Sequence, residues 1–424
     1  FLFLSGCDQE PEPLSRQTPV GPRVRFVDAT AAAGIDFVHT SGRSGRKFGI
    51  ETMGSGVAFL DYDDDGYVDL YMVNSADLPG HVSATPPRNA LYHNGRDGSF
   101  TEIGREVGVA DTSYGMGCAV GDYDNDGDAD LFISNVGPNV LYRNDGERDG
   151  RWRFTDIAPQ TILKEDRDWS TGCAFVDYDL DGDLDLYVAN YLHYELEQDV
   201  LGENGMLQRP RRHLAPTEYP GQRDYLYRND GGDHFTDVTA EAGLLRTSWK
   251  ERKLGSIFFD ADNDGDPDLF QGNDATPNYF YRNDGDGTFT ELSLLAGVAY
   301  NEAGRPEGTM GVNAADMDGD GYQDLAMTSF QWESNTLYKN LGSGSFKDES
   351  VGSGLATTSF DKLSFGINSL DADNDGDLDL YVANGHIDED IQEFDPQAAY
   401  AQRDQLYLND GDGHLTDVTT QAGP

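Results

Sequence analysis

Residues 61–70 read Asp61-Tyr62-Asp63-Asp64-Asp65-Gly66-Tyr67-Val68-Asp69-Leu70, with acids at positions 1, 3, 5 and 9 and a glycine at position 6. The same word returns as DYDNDGDADL from Asp122, DYDLDGDLDL from Asp177, DADNDGDPDL from Asp260, DMDGDGYQDL from Asp316 and DADNDGDLDL from Asp371. The starts lie 61, 55, 83, 56 and 55 residues apart, and the one long interval carries an insertion at about 191–224. Self-similarity at such a period marks a chain built from stacked units that bury one another's faces.

Each unit keeps one internal order. A glycine-rich approach, such as Gly115–Gly121, enters the acidic loop. A short alternating run follows, as in Asp185-Leu186-Tyr187-Val188-Ala189-Asn190, and then an LYRND-type segment such as Leu226–Asn229. A glycine-rich turn leads to a run resembling FTDVT, starting at Phe100, Phe154, Phe235, Phe289, Phe346 and Leu415. Runs of this length, rich in aromatic and β-branched residues and bounded by Gly, Asp and Asn, predict strands rather than helices. Four strands in about 55 residues make one blade of an all-β propeller. A seventh FTDVT-like run starts at Phe26, ahead of the first loop. The expectation is therefore six complete blades in residues 24–424 plus an orphan outer strand awaiting a seventh blade beyond Pro424, with a closed six-bladed ring as the alternative.

The acidic word has the chemistry of a cation loop. Alternate residues of a turning loop converge, and a hard cation such as Ca²⁺ wants six to eight oxygens. The candidate ligands are Asp61, Asp63, Asp65 and Asp69; Asp122, Asp124, Asp126 and Asp130; Asp177, Asp179, Asp181 and Asp185; Asp260, Asp262, Asp264 and Asp268; Asp316, Asp318, Asp320 and Asp324; and Asp371, Asp373, Asp375 and Asp379. Glycine at position 6 permits the sharp turn. An EF-hand would carry Glu at position 12 between helices, whereas here Asp stands at 9 and a strand follows. Mg²⁺ prefers octahedral geometry and keeps its waters, so it suits the word less well. The reading is about six structural Ca²⁺ ions, each pinning the turn between the first and second strands of a blade. At a free concentration a hundredfold above Kd each would add about 2.7 kcal/mol.

Composition agrees. The 424 residues hold 77 acids against 30 bases, a net charge of −47. Such a surplus excludes nucleic acid and anionic membrane surfaces as partners, and it needs counter-ions if the fold is to escape self-repulsion. Cys118 and Cys173 each sit four residues before a loop, where other repeats carry Val57, Val312 and Ile367, so they read as small buried apolar residues. No run of 18 apolar residues is present.

The start of the chain differs in kind. Phe1-Leu2-Phe3-Leu4-Ser5-Gly6-Cys7 reads as the end of a signal-peptide core followed by a bacterial lipobox, with Cys7 as the lipidated residue and 8–23 as an extended tether. The expected location is extracytoplasmic, at the cell envelope, with membrane contact only through the N-terminal lipid.

The repeats resemble FG-GAP/VCBS repeats, the calcium-binding blades also found in integrin α-subunit heads. The opening Phe26–Thr30, Gly34–His39 and Glu51–Ala58 resembles the bacterial cartilage-acidic-protein-like (ASPIC/UnbV) group, although the FG-GAP words themselves are degenerate (Tyr114-Gly115, Phe365-Gly366) and the C-terminal UnbV-type domain of that group is absent. The resemblance implies secretion, calcium and a binding, adhesion or scaffolding role toward a protein or glycan ligand. The insertion carries His193, Tyr194, Arg209-Pro210-Arg211-Arg212-His213 and Tyr219, a basic and aromatic island that is a candidate recognition site. Two other readings stand beside this one. The first is a polysaccharide lyase or hydrolase, for which Glu51, Glu307, His39 and His386 would be candidate residues although no catalytic motif appears. The second is a structural spacer for a missing C-terminal domain.

Overall fold

The computed structural model describes residues 24–165, 167–196, 213, 215–246 and 250–423. Six four-stranded antiparallel sheets, each a simple meander, follow one another along the chain at 57–102, 114–156, 170–237, 253–291, 312–348 and 364–417. They are the six complete blades of a β-propeller. The fourth shows the plan, with strands Lys253–Phe259, Asp268–Asn273, Tyr279–Asn283 and Phe289–Glu291 from axis to rim.

The second strands explain why packing overrides simple alternation. In Asp185–Asn190 and Asp268–Asn273 all six residues are buried, because a blade is covered by neighbours on both faces. The cores lie between blades rather than within them. Tyr71 and Leu91 of the first blade pack with Leu131 and Ile133 of the second, and Tyr187 and Leu226 of the third pack with Leu269 and Tyr281 of the fourth. Cys118 and Cys173 are both free, and burial pushes the Cys173 thiol up to about 12.

The sixth and first blades meet differently. Tyr381 is 37% exposed where its counterparts Tyr71 and Tyr187 are at 0% and 1%, and Val57 and Phe59 on the first blade are also exposed. The segment expected as an orphan strand lies in this sector. Phe26 donates its N–H to Ala422 O (2.6 Å), as Phe289 does to Ala242 O (2.9 Å), and Phe100 N–H in turn reaches Ala33 O (2.7 Å). Residues 24–34 thus repeat the rim station of a blade. They do not form a strand, because among the described residues no third strand lies beside them to pair with. On the axial side the two blades are tied by Arg43 to Glu389 (3.2 Å) and Tyr400 (2.9 Å), and by Lys47 to Asp390 (2.7 Å).

Candidate metal centres and an axial pocket

All six acidic words form the turn between the first and second strands of their blades, as the repeat predicts. Position 4 takes a left-handed backbone in every copy, with φ between 51° and 72° at Asp64, Asn125, Leu180, Asn263, Gly319 and Asn374. The glycine at position 6 is left-handed as well. These two reversals wrap the loop on itself. The carboxylate at position 1 accepts the N–H groups of positions 5 and 6, as Asp122 does from Asp126 (3.1 Å) and Gly127 (3.0 Å).

Position 9 does more than close the loop. Asp268 accepts Ala261 N–H (3.0 Å) with one oxygen and Asn283 N–H (2.7 Å) with the other, joining the loop to the third strand. Asn283 then donates its side-chain amide to Tyr178 O (2.8 Å) in the loop of the preceding blade. The relay recurs at Asn144 to Tyr62 O (2.9 Å), Asn229 to Tyr123 O (2.7 Å), Asn340 to Ala261 O (2.8 Å) and Asn409 to Met317 O (2.7 Å). In the first blade Asn94 instead bonds Val68 O (3.0 Å) of its own blade.

The donor set fits a hard cation. Oxygens of Asp122, Asp124 and Asp130 lie within 4.8 Å of one another, as do those of Asp177, Asp179 and Asp185 and of Asp260, Asp262 and Asp268. Among the described residues, the position-3 oxygens Oδ1 of Asp63, Asp124, Asp179, Asp262 and Asp318 are buried and make no hydrogen bond. A buried acceptor without a partner is costly, and a cation would satisfy it. Burial first, and then neighbouring carboxylates, raise Asp124 to about 6; burial raises Asp185 and Asp268 to about 7 and Asp130 to about 8 against the hydrogen bonds each accepts.

Two loops carry extra groups. His93 Nδ1 lies 3.5 Å from Asp63 Oδ2 and 3.3 Å from Asp69 Oδ1. Lys339 contacts Asp318 and sits 3.3 Å from Asp320, an ammonium already among the candidate ligands of the fifth blade.

The loops occupy one end of the first strands. At the other end, on the propeller axis, is a cavity of about 490 Å³. Five of the six blades or their flanking loops contribute to it. Trp169, Tyr191, Tyr219, Phe330 and Trp332 give it aromatic walls, and Asp274, Glu333, Asp388 and Asp395 give it acids. Tyr191 donates its hydroxyl to Asp274 Oδ2 (2.5 Å), and Gly308 N–H bonds Glu333 Oε2 (2.8 Å). A side chain at Gly308 would begin 3.2 Å from Asp274 Oδ1 and 3.5 Å from Glu333 Oε2, so the two carboxylates flank the space a Cβ would fill. Burial raises both. Burial also works to raise Asp388, but the hydrogen bond from His213 (2.8 Å) and the charge of Lys47 hold it below the usual range.

Of the catalytic candidates, His386 lines this cavity. Glu51 faces an adjoining one with His39, at 2% exposure and with Arg43 3.9 Å away. Glu307 is bound to Asn301 (2.6 Å) and Thr336 (3.3 Å). Of the insertion, His213 and Tyr219 reach the cavity, whereas Arg209, Arg211 and Arg212 lie outside the described residues, as does Cys7. Sequence reading missed Trp169, Asp274, Trp332 and Asp395.

The FG-GAP-like repeat profile matches residues 61–133, 122–188, 260–327 and 316–382. The chain belongs to the FG-GAP-like repeat family. Cartilage acidic protein 1 of Mus musculus is 24% identical over 349 residues, covering 78% of this chain and 48% of that protein. The Xenopus tropicalis protein of the same name is 27% identical over 354 residues, with the same coverages. The chain spans about half the length of the curated relatives it matches. Among solved structures, an Agrocybe aegerita lectin that recognises non-reducing terminal N-acetylglucosamine is 16% identical with a TM-score of 0.43, covering 88% of this chain and 82% of that one. At that score the likeness carries no argument about function.

Proposed function

We propose that the protein is an extracytoplasmic binding module: a calcium-loaded FG-GAP propeller, tethered through a lipid on Cys7, that presents its axial end to a protein or glycan ligand. The observation that carries this is the axial cavity. It combines aromatic walls with converging polar groups in the way small-ligand sites do, and its volume lies within their usual range of about 300–1,000 Å³. The six loops at the opposite end supply the rigidity, each cation cross-linking a loop whose carboxylates otherwise repel.

The test is surface capture of solubilised cell-envelope glycans and proteins on immobilised residues 20–424, in millimolar calcium and in chelator. Saturable binding in calcium that falls on chelation supports the module. No saturable binding in either condition refutes it.

A further inference from the structure

We propose that the axial cavity is a saccharide site selective for neutral or amino sugars and closed to uronic and sulfated ones, an inference that rests on the binding-module reading and specifies its ligand.

Three features of the cavity converge on this class. Pyranose rings present apolar C–H faces and a rim of hydroxyls, and so need flat apolar platforms bordered by hydrogen-bonding groups. Trp332 is such a platform, and the buried Trp169 lines the same cavity. Trp169 stands edge-on to Tyr191 at 5.1 Å between ring centroids and is 3% exposed. Trp332, at the lip, is 40% exposed and anchored by its Nε1–H to Asp395 (3.0 Å). It also holds φ at 69°, a backbone conformation that is an outlier for a bulky residue and one that accumulates at functional sites.

The second feature is unspent hydrogen-bonding capacity of both signs. Among the described residues, Trp169 Nε1–H is buried without an acceptor, and His213 Nε2 is buried without a partner while Nδ1 faces Asp388. Buried polar atoms in native structures are ordinarily paired, so these two are short of a ligand atom. Asp274 and Glu333, which also line the cavity, offer carboxylate oxygens as acceptors. A hydroxyl both donates and accepts and can serve either side. A purely apolar ligand would leave both groups stranded.

Charge selects within the class. Asp274, Glu333, Asp388 and Asp395 line the cavity; Lys47, 3.5 Å from Asp388, offsets that one acid, but no lysine or arginine is among the described lining residues, on a chain of net charge −47. A uronate or sulfate would bring a further negative charge into this field. A neutral sugar pays no such penalty, and an amino sugar gains.

The experiment is an array of neutral, amino and uronic-acid oligosaccharides, probed in calcium with the wild-type chain and with Trp332→Ala and Trp169→Phe. The expected result is binding to neutral or amino glycans, at least about tenfold weaker in each variant, each tryptophan supplying on the order of one hydrogen bond or ring contact. Thermal melting of Trp332→Ala should stay near wild type, since Trp332 is part-exposed, whereas Trp169→Phe leaves a small cavity in a buried cluster and should melt a few degrees lower, so binding is compared well below both midpoints. If Trp332→Ala fails to fold, Trp169→Phe alone decides. Preference for uronic glycans, or binding indifferent to the substitutions, overturns the inference. Envelope material that binds in calcium while no neutral or amino glycan does also overturns it and leaves the module standing; absence of all binding removes both.

Discussion

The Asn283→Ala substitution tests what holds the blades together. Asn283 is 1% exposed, and its side chain makes three hydrogen bonds: donation to Tyr178 O of the third blade at 2.8 Å, donation to Pro267 O at 3.3 Å, and acceptance of Gly285 N–H at 3.1 Å. Each is worth about 1 kcal/mol net, and a buried group left unpaired costs about 1–3 kcal/mol. The Tyr178 carbonyl sits in the packed seam between blades, where water cannot easily replace the amide, so the loss should come to about 3 kcal/mol. Asn94 is the internal control. It occupies the same repeat position and accepts Arg96 N–H (3.0 Å), but its donation to Val68 O (3.0 Å) stays within the first blade and is solvent-exposed. Asn94→Ala should therefore cost about 1 kcal/mol.

The assay is denaturant unfolding of both variants beside wild type in saturating calcium, with tyrosine fluorescence and circular dichroism recorded together so that any non-coincidence is seen. Asn283→Ala should move the midpoint roughly threefold further than Asn94→Ala. Equal shifts would mean that the asparagine serves only its own turn, and the description of an inter-blade clasp would fall.

Three further outcomes follow from the loops. In metal-free protein, Asp130 near 8, Asp185 and Asp268 near 7 and Asp124 near 6 are all raised above the unfolded value of 3.8. Their stabilising contribution is complete below pH 4 and is lost as pH climbs through 6 to 8, so calcium-stripped protein should melt lower at pH 8 than at pH 5; the opposite slope in stripped protein would contradict this. Asp179→Asn removes a carboxylate whose Oδ1 is buried and unbonded, and should lower calcium stoichiometry by one in titration calorimetry, whereas unchanged stoichiometry would remove that loop from the set. Lys339→Met removes the ammonium from Asp318 and Asp320, and should tighten the fifth-blade site about tenfold, roughly 1.4 kcal/mol; no change would show that Lys339 moves aside at no cost.

The blades were legible because their information is local. Everything that makes the acidic loop turn lies within ten residues, down to the Asp, Asn or Gly that suits a left-handed position 4 in five of six copies, Leu180 being the exception. The asparagine of the LYRN segment was visible as part of a repeated word, but its partner is a carbonyl one blade earlier, 105 residues away for Asn283, and no local pattern reports that. The orphan run at Phe26 was legible as a rim element and wrongly read as a strand, because strand formation needs a neighbour that sequence similarity does not supply. The cavity was least legible of all. Its residues sit where the repeats differ, in the turns leaving each second strand (Asp274, Trp332, Asp388) and in the approach to the third blade (Trp169), so a search for self-similarity passes over them. The signal that could have found them is the reverse one, an aromatic residue or acid in those connections that other repeats lack.

The two ends of the molecule are joined by this same division of labour. The cavity takes its wall from the third to sixth blades and from the approach to the first, so its shape depends on the angle between blades, not on any single sheet. In the second to sixth blades those angles are held by the clasp that runs from the position-9 aspartate, through the asparagine, to the preceding loop. A cation in one loop would thus order the carbonyl that anchors the next blade. On this reasoning ligand binding needs calcium although the loops lie at the far end of the first strands from the ligand. The consequence is graded: Asp179→Asn, which touches one loop of six, should weaken binding severalfold without abolishing it, while chelation of all six should abolish it. Complete loss from Asp179→Asn would instead mean that the ring closes all or none. Undiminished binding in chelator would mean that the cavity is held by the inter-blade cores alone.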